Sequence, residues 1–375
     1  MNVLIIPDSF KGTLSAKNVA KSMSKGVKKA FSESTTKLLP FSDGGEGAIS
    51  LLRKRLNGKV IKVNTINSVR APIEAPLFWI DKNKIAWIEL SQCSGISQLS
   101  DNMKNPMKTS TYGTGIQIMK ALEKGCKKLY IGLGGSSTHD LGTGIFSALG
   151  GKLLDKNSSP IKKGGQGLID CEKIILSTLT RKLLGCKIIL GVDVQNKLLG
   201  KKGAAKVYGS QKGATPKMIK ILEKGSSKIA SVIYNKTGKV IDKIKGGAAA
   251  GGAGAGLYGL LNAEIKSGFD LLSEIVSLEK EIITSDLIIT GEGCLDNQSV
   301  YGKLPQKVGE LAIKHNKPLI CIAGEIKLPK SKIEKIGITS AWSINPKKMS
   351  IKTIISKTPG LIERTTEKAI KSHLN

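Results

Sequence analysis

The stretch Val3-Leu4-Ile5-Ile6-Pro7-Asp8-Ser9-Phe10-Lys11-Gly12 decides how this chain is read. Four apolar residues closed by a proline are too few for a helix and read as a buried strand. The strand ends in a carboxylate, a lysine and a glycine. Ser15 then stands at a capping position, and Val19, Met23, Val27 and Ala30 follow at helical spacing. A second strand is expected over residues 37–40 and a second helix over 46–56. Strand and helix alternating in this way predict a parallel sheet with helices on its faces.

Working outward, the alternation breaks and then returns. Residues 59–67 and 75–89 are strand-rich, and the turn Asp81-Lys82-Asn83 reads as a hairpin. A middle region follows, with a helix at 113–124, a strand at 129–133, a helix at 142–149, a strand at 187–192 and a helix at 216–234. From Asp286 the first pattern resumes: strands at 287–290, 319–323 and 339–343, helices at 303–315, 330–336 and 359–373. The expected fold class is therefore α/β with two domains. Residues 1–70 and 283–375 would form a discontinuous, doubly wound parallel-sheet domain. Residues 71–282 would form an inserted mixed α/β domain.

Composition narrows the function. The chain has 375 residues, enough for two domains with sizeable cores. A net charge of +30 invites a nucleic-acid reading. Yet the only arginines are Arg53, Arg55, Arg70, Arg181 and Arg364, and aromatics make up 4% of the residues. Sequence readers favour the bidentate arginine fork, and strand binders need stacking platforms. The lysines are scattered, so they read as solvated surface that also attracts anionic substrates. No nucleic-acid partner is expected. Six cysteines show no C-x-x-C pair and sit mostly in apolar runs, which fits buried free thiols in a reducing compartment. The first apolar run is too short for a signal peptide and no run is long enough to span a membrane. A soluble, cytoplasmic protein is expected.

In open α/β sheets ligands bind beyond the carboxyl ends of the strands. Acidic residues beside glycine recur there: Asp8, Ser42-Asp43-Gly44-Gly45-Glu46-Gly47, Gly191-Val192-Asp193, and Thr290-Gly291-Glu292-Gly293-Cys294-Leu295-Asp296. Phosphoryl transfer needs a carboxylate for the acceptor's proton, carboxylates for Mg²⁺ and a cation on the moving group. Asp8, Asp43, Asp193 and Asp296 with Lys11 match that list; a single aspartate at a strand end is as often a cap or a turn. Two glycine-rich segments, Gly132-Leu133-Gly134-Gly135-Ser136-Ser137-Thr138 and 246–256, could offer backbone amides to a polyphosphate, or could serve close packing or a hinge. No P-loop signature occurs. Gly254-Ala255-Gly256-Leu257-Tyr258-Gly259 matches G-x-G-x-x-G, but no strand leads directly into it. His139, beside Asp140, could touch a ligand, although a packed histidine is the more common outcome. No nucleophile elbow or serine triad is evident.

Taken in order, residues 7–12, Ser42-Asp43-Gly44-Gly45-Glu46-Gly47, Thr111-Tyr112-Gly113-Thr114-Gly115, residues 132–140, Tyr208–Ala214 as Y-G-x-Q-K-G-A, and Thr290-Gly291-Glu292-Gly293 with Leu295-Asp296 resemble the bacterial type I glycerate kinase family over essentially the whole chain. The resemblance implies ATP-dependent phosphorylation of D-glycerate with Mg²⁺. It also implies a Rossmann-like domain and an active site in a cleft between two domains. On that reading, glycerate would meet Asp8, Ser9, Lys11, Asp43, Gly44, Gly45 and Glu46, with Lys11 against its carboxylate or the moving phosphoryl group. Asp193 would be the base on the acceptor hydroxyl, with Asp43 second. Asp296 and Asp8 would hold Mg²⁺. Gly134, Gly135, Ser136, Ser137, Gly251, Gly252, Gly254, Gly291, Glu292 and Gly293 would line the ATP phosphates. The product would be 2-phosphoglycerate rather than 3-phosphoglycerate. This chain departs from the family's usual residues at His139 (Asn), at Cys294 (Arg) and at Lys197 (Pro). A kinase of another small hydroxy acid is the nearest alternative, and an NAD(P)-dependent oxidoreductase using residues 254–259 a more distant one.

Overall fold

The computed structural model describes the chain except for residues 11–12, 42–47, 301–302, 346–350 and 375. In chain order the strands are β1 (Asn2–Pro7), β2 (Thr35–Leu38), β3 (Lys59–Ile66), β4 (Pro72–Ile80), β5 (Ile85–Glu89), β6 (Lys128–Gly132), β7 (Lys152–Leu154), β8 (Lys173–Ile175), β9 (Lys187–Val192), β10 (Glu264–Ser267), β11 (Leu287–Leu295), β12 (Leu319–Ile326) and β13 (Ser340–Ser343). The chain divides into two compact units, Met1–Asp43 with Leu272–Asn375, and Gly44–Leu271.

The terminal unit is built on a five-stranded sheet ordered β13-β12-β11-β1-β2, parallel throughout. Its apolar strands are the near-continuous runs that a doubly covered parallel sheet requires. Because strand side chains alternate, Val3, Ile5, Leu287, Ile289, Ile320 and Ile322 share one face, where they pack against Val19, Met23 and Val27 of the helix Ala16–Ala30 and Ile362 and Ile370 of the helix Ile351–Leu374. The two helices meet closely at Gly26, where a Cβ would lie 2.3 Å from the Glu363 carbonyl oxygen. Ser15 occupies the first cap but its side chain makes no capping bond. The chain leaves β1 towards β2 and leaves β11 towards β12, in opposite directions. The switch point therefore falls between β1 and β11, where doubly wound sheets open a ligand crevice.

Two elements differ from expectation here. The strand expected over 287–290 continues to Leu295, because β12 also runs on and Cys294 pairs with Glu325 and Leu295 with Ile326. Gly293 and Gly324 face each other closely: a Cβ on Gly324 would sit 2.3 Å from the Gly293 carbonyl. The last helix starts at Ile351 rather than 359, with Pro359 inside it. Proline is favoured in a first helical turn, which misplaces the start when sequence is read alone.

The inserted unit holds a six-stranded mixed sheet ordered β10-β9-β6-β5-β4-β3 and a small β7-β8 ribbon. The hairpin at residues 81–83 joins β4 to β5 as expected. The unit boundary falls at 43/44 and 271/272, not at 70/71 and 282/283, because β3 pairs with β4 along eight residues and so joins this sheet. From β5 to β10 the strands are parallel, so their carboxyl ends share one edge. Among the described residues no helix is long and apolar enough to cross a membrane. All six cysteines are free; Cys93, Cys126, Cys171 and Cys321 are buried.

Candidate functional site

At the switch point of the terminal unit, Asp8 follows β1 directly. Its amide donates to the Gly291 carbonyl at 2.8 Å, which carries the pairing with β11 one step past Pro7. Asp8 Oδ1 accepts from the Ser9 amide at 2.5 Å and the Ser9 hydroxyl at 3.2 Å. Lys11, Asp43, Gly44, Gly45 and Glu46 lie outside the described residues.

Gly291, Glu292 and Gly293, expected in a phosphate loop, are part of β11. At that point the strand presents a carboxylate, not a row of open amides. Glu292 is 6% exposed, accepts a short hydrogen bond from the Ser299 hydroxyl, and lies 3.7 Å from Lys303 Nζ. Asp296 Oδ1 lies 3.8 Å from the same ammonium, and the Asp296 amide donates to Ser299 Oγ at 3.1 Å. One ammonium thus bridges two carboxylates, one in the last half of β11 and one just past its end. A negative pair of this kind repels a bare phosphate. It holds a cation, and two carboxylates are the usual protein share of a Mg²⁺ site, the rest being phosphate oxygens and water. Asp8, expected beside Asp296 as a metal ligand, is level with Glu292 on the neighbouring strand. Glu292 and Asp296 share one cation and are a donor pair that fits Mg²⁺. Among the described residues there is no group of three or more histidine, cysteine or carboxylate side chains that could hold a metal by itself.

In the inserted unit, Glu89, Gly132 and Gly191 stand side by side at the ends of β5, β6 and β9. Gly134 and Asp193 each lie two residues past this last pair, beyond the ends of β6 and β9. Asp193 is exposed, Gly135 is exposed and Gly134 half-buried. Gly135 has φ 62°, a left-handed turn that glycine adopts without strain. The flanking serines face inward. Ser137 Oγ donates to Ser94 O at 3.0 Å or Ser68 Oγ at 2.9 Å, and Ser136 Oγ accepts from Lys212 Nζ at 2.7 Å. Among the described residues the Gly134 and Gly135 amides have no hydrogen-bond partner, and the serines fix the turn.

Gly251, Gly252 and Gly254, expected on ATP, are buried. Ala250, Gly251 and Gly252 form a left-handed kink in the helix Ala249–Leu261. A Cβ on Gly251 would stand 2.0 Å from the Thr138 carbonyl, one on Gly252 2.7 Å from Leu141, and one on Gly254 2.7 Å from the Gly246 carbonyl. These glycines let the helix lie directly under the 134–141 loop. The G-x-G-x-x-G segment is helix interior for the same reason: a Cβ on Gly256 would meet the Leu141 carbonyl at 1.8 Å.

Two motifs without a role in the sequence meet at Asp140. Its fully buried carboxylate accepts from the Thr111 amide and hydroxyl at 2.8 and 3.0 Å and from the Gly142 and Gly144 amides at 3.1 and 3.3 Å. Burial pushes this carboxyl up, and the donors pull it back. Asp140 thereby fixes the far end of the glycine loop. His139 is also buried. The Ser226 hydroxyl donates to Leu222 O, so His139 Nε2 donates to Ser226 Oγ at 3.0 Å and Nδ1 is the lone-pair nitrogen. Nδ1 has no hydrogen-bond partner among the described residues. Burial, then the Lys212 charge, push the imidazole down to about 3. His139 is thus a packed neutral histidine. Its unfolded counterpart takes a proton below pH ~6.5. Stability should therefore fall as pH drops from 6.5 towards 3, by up to about 1.4 kcal/mol per pH unit from this group. Urea midpoints measured across that window should fall less steeply for His139→Asn than for the parent chain.

Lys212 and Lys303 escaped the sequence reading because fifty-odd scattered lysines hide two placed ones. The one signal for Lys212 was its seat between Gln211 and Gly213 in the Y-G-x-Q-K-G-A stretch that carries part of the family resemblance.

A profile of the glycerate kinase family matches residues 3–374. The chain belongs to the glycerate kinase family. The family's glycerate kinase from Halalkalibacterium halodurans is 37% identical over 367 residues, covering 97% of this chain and 96% of that one. The glycerate 2-kinase of Escherichia coli is 36% identical over 344 residues, covering 92% and 90%. A crystal structure of a Salmonella typhimurium LT2 protein described as glycerate kinase 2 matches with a TM-score of 0.84 at 33% identity, covering 100% of this chain and 98% of that one.

Proposed function

We propose that this chain is an ATP-dependent glycerate kinase that moves the γ-phosphoryl group to the 2-hydroxyl of D-glycerate, giving 2-phosphoglycerate. The observation that supports the reading is that an exposed carboxylate, Asp193, and the Gly134-Gly135 turn follow the ends of two adjacent parallel strands, β9 and β6. A base for the acceptor and amides for the transferring phosphates would then come from the same edge of one sheet. Choice of the 2-hydroxyl follows the Escherichia coli relative's name.

Asp193 takes the proton of the acceptor hydroxyl as its oxygen bonds to phosphorus and the bridging oxygen leaves with ADP. Gly134 and Gly135 amides would take charge from the phosphate oxygens, Lys11 would pair with the substrate carboxylate or the moving phosphoryl group, and Asp8 and Ser9 would also bind the substrate. Asp43 is the second candidate for the base. Glu292 and Asp296 would hold Mg²⁺, which when bound neutralises the charge gathering on the phosphates. The net charge of +30 draws both anionic substrates towards the protein.

A coupled ADP-release assay tests this. Turnover with D-glycerate should need Mg²⁺, disappear with EDTA, and give a single phosphorus resonance assignable to the 2-phosphate. Turnover that survives chelation would remove the metal role of Glu292 and Asp296. Turnover of other hydroxy acids but not D-glycerate would move the reading to a different substrate.

A further inference from the structure

We infer that Lys212 is a positioning residue for nucleotide binding: its buried ammonium braces the Gly134–Thr138 turn in the conformation that presents the open glycine amides. This rests on the kinase reading above. Lys212 Nζ donates to Ser136 Oγ and to the Thr138 carbonyl, both at 2.7 Å, and so clamps the turn on either side of Ser137. Lys212 is 2% exposed. To reach a phosphate it would have to give up both bonds, so it acts through the turn and not on the substrate.

Its own seat is rigid. The Lys212 amide donates to Gly209 O at 3.0 Å, and Gly213 follows at φ 87°, where a Cβ would lie 2.3 Å from the Lys104 carbonyl. The same short segment also supports the neighbouring strand end. Tyr208 OH donates to Asn196 Oδ1 at 2.9 Å, and Asn196 Nδ2 donates to Lys202 O at 2.8 Å, so Tyr208 ties down the loop that begins at Asp193. One motif, Tyr208 to Lys212, thus braces both the proposed phosphate turn and the proposed base. Burial pushes the ammonium down to about 7, with the Asp140 charge opposing. Such a cost is the mark of a cation kept inside for what it holds.

The test is Lys212→Met, which keeps length and apolar bulk, read by three measurements on the full chain. Amide hydrogen exchange should quicken in peptides covering 133–139. The ATP Kd by calorimetry should rise about tenfold or more, from loss of a charged double hydrogen bond. The KM for D-glycerate should change less than about twofold. Ser136→Ala, which removes one of the two acceptors, should shift exchange and ATP affinity the same way by less, and it serves if Lys212→Met does not fold. Unchanged exchange and unchanged ATP affinity would overturn the inference while turnover by the parent chain leaves the kinase reading standing. A parent chain that neither binds ATP nor phosphorylates D-glycerate would overturn the kinase reading and the nucleotide role of the turn together, and exchange alone would then report whether Lys212 braces it.

Discussion

Replacing Asp193 by Asn should lower kcat by about 10²–10⁴-fold, the usual effect of losing a positioned general base. The melting temperature should change little, because the side chain is exposed. Asparagine keeps the shape and the hydrogen-bonding reach but cannot take the acceptor's proton. The KM values should move little, since the loss falls on the transition state rather than on substrate binding. The comparison variant is Glu89→Gln. Glu89 ends the neighbouring strand β5 and is 1% exposed, where it accepts from the Ile49 amide at 2.8 Å and from Gln92 at 2.9 Å. That carboxylate anchors the start of the helix Ala48–Arg55, so its loss should lower stability before it lowers chemistry. Near-normal kcat in Asp193→Asn would pass the role of base to Asp43.

How much of this was legible beforehand depended on which physical signal each residue gives. The apolar runs Val3 to Ile6 and Leu287 to Ile289 announce their parallel sheet because burial on both faces demands them. The hairpin at 81–83 announces itself through turn chemistry. Asp8 and Asp193 were legible as strand-end carboxylates, and both stand where that rule puts them. The placement of β3 was not legible, since the partner of an edge strand is fixed by register and not by its own composition. Glycines were the most misleading residues. Gly134 and Gly251 look alike in sequence, yet Gly135 beside the first is open to solvent and the second lies against the Thr138 carbonyl. Glycine serves a phosphate, a left-handed turn or a close helix contact equally well, and only the neighbour in space decides which. The same holds for Glu292, whose meaning changed once Lys303 and Asp296 were seen beside it.

Gly251→Ala should be among the most damaging single-methyl changes in the chain, costing about 2–5 kcal/mol of stability. Two independent penalties meet there. At φ 65° an alanine carries the steric cost of the left-handed region. Its Cβ would also stand 2.0 Å from the Thr138 carbonyl and 2.6 Å from His139 Cα, both backbone atoms that cannot swing aside. Relief requires the 134–141 loop to lift off the helix Ala249–Leu261, breaking the bond from the Leu141 amide to Gly251 O at 3.3 Å. The loop that moves carries Gly134 and Gly135, so ATP affinity should weaken together with the fall in urea midpoint. Gly238→Ala separates the two penalties. Gly238 also has a left-handed φ, 73°, but a Cβ there meets nothing within 4 Å. It should cost only about 1 kcal/mol, the conformational share, and leave ATP binding untouched. Equal losses at the two sites would mean that the helix and loop are not in the contact described, and that the buried glycines serve the backbone turn alone.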